Sequence, residues 1–283
     1  MTIAVTGATG QLGRLVIDAL ISRGAAPGEI VAAVRDTTKA AELAARGVQV
    51  READYNRPET LTSAFAGVDR LLLISGNEVG KRLPQHTAVV SAAQAAGVGF
   101  LAYTSILRAD TSTVGLAPEH KASEEVIASS GIPYAFLRNG WYTENYGASF
   151  GSALSTGAFV GSSGEGRIAA ATRADYAEAA AAVLLSGEPG VYELGGDAFT
   201  MAELAAEVSR QTGTPVVYRD LPVAEYQAIL VSAGLPEGYA GLLADTDLKI
   251  VDGELDTDSD DLPRLIGRPV TPLPDAVAAL LKN

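Results

Sequence analysis

The chain has 283 residues, 47% of them apolar, with a formal net charge of −13 and no Cys. It is long enough for one large domain or a domain with a smaller lobe, and without Cys it offers no disulfide, thiol nucleophile, thiolate zinc site or cysteine-ligated cluster. The negative charge opposes nucleic-acid phosphates and no apolar run approaches the roughly 18 residues of a membrane span. Met1 leads straight into a strand, so a cytoplasmic protein is expected.

In chain order, Ile3, Ala4 and Val5 form a short apolar strand, and from Leu12 the positions Leu12, Leu15, Val16, Ala19 and Leu20 recur at helical spacing. Between them lies Gly7-Ala8-Thr9-Gly10-Gln11-Leu12-Gly13. Gly7 can make the tight turn, Gly10 leaves room for a pyrophosphate, and Gly13 lets the helix pack on the sheet, while free N–H groups and the helix dipole attract the anion. Strand before and helix after supply the context of a dinucleotide-binding loop.

Ile30 to Val34 is the second strand, and the residue that ends it, about 20 positions after the glycine loop, faces the adenosine ribose. It is Arg35. An enzyme selective for NAD places an Asp or Glu there, whereas a guanidinium pairs with a 2′-phosphate, so NADPH is the expected cofactor. Asp36 comes one residue too late to take the ribose, and Lys39 adds positive charge. The bland alternative is an arginine merely solvated at a strand end.

Strands are then expected near 48–52, 69–74, 99–104 and 134–138, with helices near 37–46, 58–66, 81–96 and 117–130. This alternation predicts an α/β fold, a Rossmann-type doubly wound parallel sheet with helices on both faces. After residue 139 the rhythm breaks. Gly151 to Gly166 is expected to be loop, Ala174 to Leu185 helix, Val191 to Leu194 strand, and Thr200 to Leu265 mostly helix with one strand near Val216 to Tyr218. The dinucleotide-binding domain is expected over 1–138 plus about 170–195, and a smaller substrate-side lobe over about 139–169 plus 196–265. A C-terminal helix in 266–283 is expected to return to the main domain. Asp252 to Asp261 is acidic and expected to be a solvated connection. His86 and His120, the only histidines, are far apart in sequence, and no metal site is expected.

GATGQLG at the start, Ala53-Asp54-Tyr55, the run at 71–75, Ala102-Tyr103-Thr104-Ser105, and above all Leu137 to Tyr146 resemble the NmrA-like branch of the atypical short-chain dehydrogenases. The similarity is nearest to its bacterial NAD(P)H:quinone oxidoreductases, with triphenylmethane reductases as relatives, and extends to the pattern from Ser259 to Gly267. The resemblance implies that Gly7 to Leu12 bind the pyrophosphate, Arg35 the 2′-phosphate, and that Asp54 and Tyr55 lie near the adenine. It also implies that Ser75, Gly76 and Asn77 follow the ribose, and that Asn139, Gly140 and the residues to Glu144 surround the nicotinamide and the acceptor.

Ordinary short-chain dehydrogenases use a Tyr-x-x-x-Lys pair for proton exchange. If Glu124 marks the position four after that Lys, His120 stands in its place and Leu116 replaces the Tyr. His120 could orient the ribose, donate to an acceptor, or be an ordinary helix-surface histidine. Without the phenol, direct hydride transfer to a quinone or similar conjugated small molecule is favoured, since that acceptor spreads the incoming charge. Trp141, Tyr142 and Tyr146 are expected aromatic walls, with Asn145 a polar contact, though each aromatic could equally be core packing. No flavin signature is evident. The alternatives are a non-catalytic NADP(H)-binding redox sensor or a triarylmethane dye reductase, and homo-oligomerisation stays open.

Overall fold

The computed structural model describes residues 1–282. Its frame is a seven-stranded sheet of β1 (Ile3–Thr6), β2 (Ile30–Val34), β3 (Gln49–Glu52), β4 (Arg70–Leu73), β5 (Phe100–Ile106), β6 (Tyr134–Asn139) and β8 (Gly190–Leu194). The order is β3-β2-β1-β4-β5-β6-β8 and every pairing is parallel. The order reverses between β1 and β4, and in a doubly wound sheet the crevice outside the carboxyl ends at that point receives the ligand. Strands such as Ile30–Val34 are apolar throughout because both faces are covered.

One face carries α1 (Gln11–Ser22), α7 (Arg173–Ser186) and the short α11 (Asp261–Ile266). The other carries α3 (Pro58–Ala64), α4 (Arg82–Ala96) and α5 (Ala117–Ser129), with Phe65, Val89, Tyr103 and Ile127 in its core. The segment expected as a helix near 37–46 is a 3₁₀ turn over Thr37–Ala40 running into α2 (Ala41–Ala45).

A third apolar cluster belongs to the lobe. It is built from α6 (Gly147–Thr156), β7 (Ala158–Gly161), α8 (Met201–Thr212) and β9 (Val217–Asp220), with Ile250 from α10 (Glu237–Val251). β7 and β9 pair in parallel as a separate two-stranded sheet, and α9 (Val223–Ser232) packs against α10 with none of its own residues fully buried.

Three expectations are corrected. The Gly- and Ser-rich stretch from Gly151 to Gly166 is not loop: α6 and β7 fill most of it, because Phe150, Ala153 and Phe159 are buried in the lobe cluster and tertiary burial overrides weak helix propensity. Gly157 (φ +76°) supplies the left-handed turn between them. The C-terminal helix α12 (Leu273–Leu280) does not return to the main domain, since its Leu273, Val277 and Leu280 join the lobe cluster against α8; α11, expected in the lobe, packs on α7 and β8 instead. Finally, the acidic connection is partly structural: Leu255 is buried, and Asp261 accepts a hydrogen bond from the Glu193 N–H at 3.0 Å.

Beneath the carboxyl ends of β5, β6 and β8 sits Arg138, buried and bonded through Nε and Nη2 to Glu124 of α5 at 3.0 and 2.7 Å. Its Nη1 reaches Asp110 at 2.8 Å and Glu193 at 2.9 Å, and these carboxylates hold the guanidinium charged above its ordinary range despite desolvation. Removing one partner of such a pair strands a buried charge. Glu124→Gln is therefore expected to lower unfolding free energy by about 3 kcal/mol, measured by urea denaturation; a loss within experimental error would show that Asp110 and Glu193 alone suffice.

Candidate functional site

At the switch point, Gly7 has φ +58°, a conformation that L side chains rarely adopt. Its carbonyl accepts from Gly10 N–H at 2.9 Å, closing the turn ahead of α1. A Cβ on Gly13 would stand 2.4 Å from the Gly7 carbonyl oxygen and 2.7 Å from Ala8 Cα, so loop and helix meet only through glycine. No side chain caps the start of α1. An uncapped helix N-terminus beside a close backbone turn fits a pyrophosphate, and Ala8, Thr9, Gln11 and Leu12 frame it.

Arg35 is exposed and makes no hydrogen bond or ion pair among the described residues. Asp36 is turned in part toward its own loop, its Oδ1 accepting from the Thr38 N–H and hydroxyl at 3.0 and 2.6 Å. Sequence reasoning passed over Arg14. Its guanidinium donates to the Thr9 carbonyl at 3.2 Å and the Lys39 carbonyl at 3.1 Å, bracing the glycine loop against the segment after β2. Its place directly after Gly13 was the available signal.

Asp54 and Tyr55 are held by the protein itself. Asp54 Oδ1 accepts from Asn56 N–H at 2.9 Å, and the Tyr55 hydroxyl lies 2.5 Å from Thr6 Oγ1 and 3.0 Å from the Ile74 carbonyl, its single proton facing both, which ties the ends of β1 and β4 together. Ser75, Gly76 and Asn77 form the loop after β4, and Ser75 N–H donates to Thr104 Oγ1 of β5 at 2.8 Å. Asn77 is exposed.

At the ends of β5 and β6, Ser105 Oγ and Asn139 Oδ1 are buried with no hydrogen-bond partner. Buried polar atoms are paired in nearly all native structures, so these two are candidates to meet polar groups of a ligand. Asn139 Nδ2 donates to the Tyr142 hydroxyl at 3.2 Å. Gly140 is confined, since a Cβ there would meet the Ala169 carbonyl oxygen at 2.7 Å and the Tyr176 hydroxyl at 3.0 Å.

The three expected aromatic walls do not share one side. Tyr142 meets Tyr176 edge-on at 5.3 Å between centroids and carries the Arg173 guanidinium 4.9 Å from its ring centroid, whereas Trp141 and Tyr146 pack with the lobe cluster, Tyr146 lying 6.1 Å from Phe199. Successive residues of an extended segment point to opposite sides. Asn145 is exposed and its Oδ1 is taken by Arg173 at 2.8 Å.

His120 is not a helix-surface histidine. It is buried, with Nδ1 2.8 Å from the hydroxyl of fully buried Tyr103. His86, also fully buried, accepts from Gly76 N–H on Nε2 at 3.0 Å and places Nδ1 2.9 Å from Ser123 Oγ. Its sequence context carried no signal. Burial, reinforced by the nearby Arg82 charge, pushes His86 down to about 3 and His120 well below its ordinary range, so both are neutral at neutral pH. Neither supplies an imidazolium acid.

These shifts link stability to pH. Below 6.5 the unfolded chain takes up protons that the folded histidines refuse, so stability falls as pH drops by about 1.4 kcal/mol per unit for each. Asp247, raised by burial to about 6, works in the opposite direction below that value. Between pH 6.5 and 5 the melting midpoint is expected to fall, and His120→Gln should remove one histidine's share of the slope; an unchanged slope in that variant would refute the assignment.

The sequence pattern of the NmrA-like family matches residues 1–252. The chain is 54% identical over 281 residues to quinone oxidoreductase 2 of Escherichia coli K12, covering 98% of each chain. Its fold matches the E. coli NADPH-dependent quinone oxidoreductase complexed with NADPH with a TM-score of 0.96 at 53% identity, over 99% of this chain and 100% of that one. The NADP(H) complex of Citrobacter sp. triphenylmethane reductase matches with a TM-score of 0.93 at 42% identity, over 99% and 100%. Glycine loop, parallel sheet and full-length likeness converge: this chain belongs to the NmrA-like family.

Proposed function

We propose that the protein is an NADPH-dependent oxidoreductase that reduces quinones and similar conjugated small molecules. The observation that carries the acceptor class is Leu116 just ahead of α5, where a proton-exchanging Tyr is expected, with a neutral His120 one turn on. A side chain without an ionisable group cannot protonate an alkoxide, so acceptors that delocalise the incoming charge suit the site. The E. coli quinone oxidoreductase and the Citrobacter dye reductase support this class.

The residues fit the cofactor. Gly7 to Leu12 and the start of α1 would hold the pyrophosphate, and the unpaired Arg35 the 2′-phosphate. Ser75, Gly76 and Asn77 would border the ribose. Asn139 Oδ1 needs a donor, which an amide of the nicotinamide end has, and Ser105 Oγ needs a second polar partner. Bound NADPH supplies the hydride. The protein's share is position and water exclusion: Tyr142 braces Asn139, and Trp141 and Tyr146 on the lobe side remain to wall the acceptor. No helix among the described residues is long and apolar enough to cross a membrane.

Stopped-flow mixing with 1,4-benzoquinone and a cationic triarylmethane dye tests this directly. NADPH deuterated at the transferring C4 position should oxidise more slowly than the protonated form in a single turnover, with no flavin absorbance from the protein. Tight NADPH binding with no turnover on any acceptor would point instead to a redox sensor.

Cofactor choice gives a second test. A charge-assisted hydrogen bond contributes about 1.5–3 kcal/mol, roughly tenfold to a hundredfold or more in affinity, so NADPH should bind more tightly than NADH and Arg35→Ala should remove most of the difference. Equal affinities in the unaltered protein would exclude the role assigned to Arg35.

A further inference from the structure

A closed ring of hydrogen bonds surrounds Gly76, the residue in the middle of the loop after β4. Its N–H donates to His86 Nε2 at 3.0 Å. A nitrogen that accepts from a backbone N–H is unprotonated, so a neutral His86 carries its proton on Nδ1 and donates to Ser123 Oγ at 2.9 Å. Ser123 in turn donates to the Glu119 carbonyl at 2.7 Å. The Glu119 carboxylate then accepts from Arg82 Nη1 at 3.2 Å and from Gly80 N–H at 3.0 Å, and Arg82 Nε returns to the Gly76 carbonyl at 2.9 Å. Both backbone polar groups of Gly76 are thus gripped from α4 and braced on α5, and every donor has one direction available. A Cβ on Gly76 would come 2.9 Å from Gln85 Oε1, so that the end of the Gln85 side chain would have to shift.

We propose that His86 is a positioning residue: as the Nδ1–H tautomer it holds the loop after β4 in the shape that receives the cofactor ribose, and it touches neither cofactor nor acceptor. This rests on the reading that the loop borders NADPH. His86 then serves as a fixed acceptor for one backbone N–H, with its own Nδ1–H committed to Ser123. A lysine, a charged imidazole or an aliphatic side chain in its place would leave that N–H buried against a wrong partner.

Two amide variants separate positioning from packing. The oxygen of a Gln reaches the place of Nε2 and can accept from Gly76, whereas the shorter Asn ends near Nδ1 and reaches only Ser123. With 1,4-benzoquinone as acceptor, His86→Asn should raise the KM and calorimetric Kd for NADPH about tenfold with kcat at saturating NADPH within about twofold, while His86→Gln stays within about threefold of the unaltered protein in both. Equal effects of Asn and Gln, or a fall in kcat with KM unchanged, would overturn the proposal. Should either variant fail to fold, ¹⁵N-histidine spectra of the unaltered protein at neutral pH, assigned by comparison with His120→Gln, decide the matter. His86 is expected as Nδ1–H with a bare Nε2, and an Nε2–H or charged ring would refute it. If the unaltered protein binds no NADPH, the functional reading fails first; if it binds and His86→Asn binds equally well, only the role of His86 fails.

Discussion

One buried guanidinium fixes the working end of this molecule. Arg138 lies on β6, and the three carboxylates around it come from α5, from the loop after β5 and from β8. A buried charge with fewer partners would be unstable, so all three segments must arrive together. Asn139, the next residue along β6, projects to the other face of the sheet, where its Oδ1 is left without a partner. The same ion pairs orient α5, and with it His120 against Tyr103 and Ser123 against His86. The loop after β5 joins the arrangement through Arg108, held at φ +49° with its N–H donating to Glu193 at 2.9 Å. A strained residue at a strand end persists only where its surroundings over-determine it, and Glu193 belongs to that surrounding network.

The two halves of the candidate site rest on different physics. The cofactor side is backbone and polar: a glycine turn, an uncapped helix start, and loops clamped by side-chain to main-chain hydrogen bonds. Such groups lose little on binding because their geometry is already set. The lobe side is apolar, with Trp141 and Tyr146 packed among Phe150, Phe159 and Phe199. Its outer hairpin of α9 and α10 contributes few fully buried residues, with Tyr239, Leu248 and Val251 exposed. Elements with sparse burial sit at the low end of local stability. The hydrogen-bonded loops after β1 and β4 thus contrast with the sparse burial of the lobe's outer helices.

Neutral imidazoles recur in the design. Burial deprives both histidines of charge near neutral pH, and each is used for its hydrogen-bonding pattern instead. If Glu124 marks the position four after the Lys of an ordinary short-chain dehydrogenase, an ammonium would stand there where His120 does. Here the same helix position holds a buried ring against a buried phenol, with His120 Nδ1 2.8 Å from the Tyr103 hydroxyl.

Much of the fold was legible in the chain itself, because its signals are local. Glycine spacing, the strand before it and the helical period after it identify the dinucleotide loop, and the alternation of short apolar runs with amphipathic segments identifies a parallel sheet; neither depends on distant contacts. Arg35 and Leu116 could likewise be singled out as individual residues, and the structure leaves Arg35 exposed after β2 and Leu116 just ahead of α5. Tertiary structure decided the rest. Phe150 and Phe159 make α6 and β7 regular only because the lobe core buries them, and α12 joins that core, not the sheet, through Val277. The split of Tyr142 from Trp141 and Tyr146 depends on which core each side chain enters. Arg14, Arg82 and His86 act on carbonyls and N–H groups outside their own helices, 6 to 25 residues away. A sequence states which side chains can donate or accept, but the backbone partner is specified only when the chain has folded and its buried polar groups must all be satisfied.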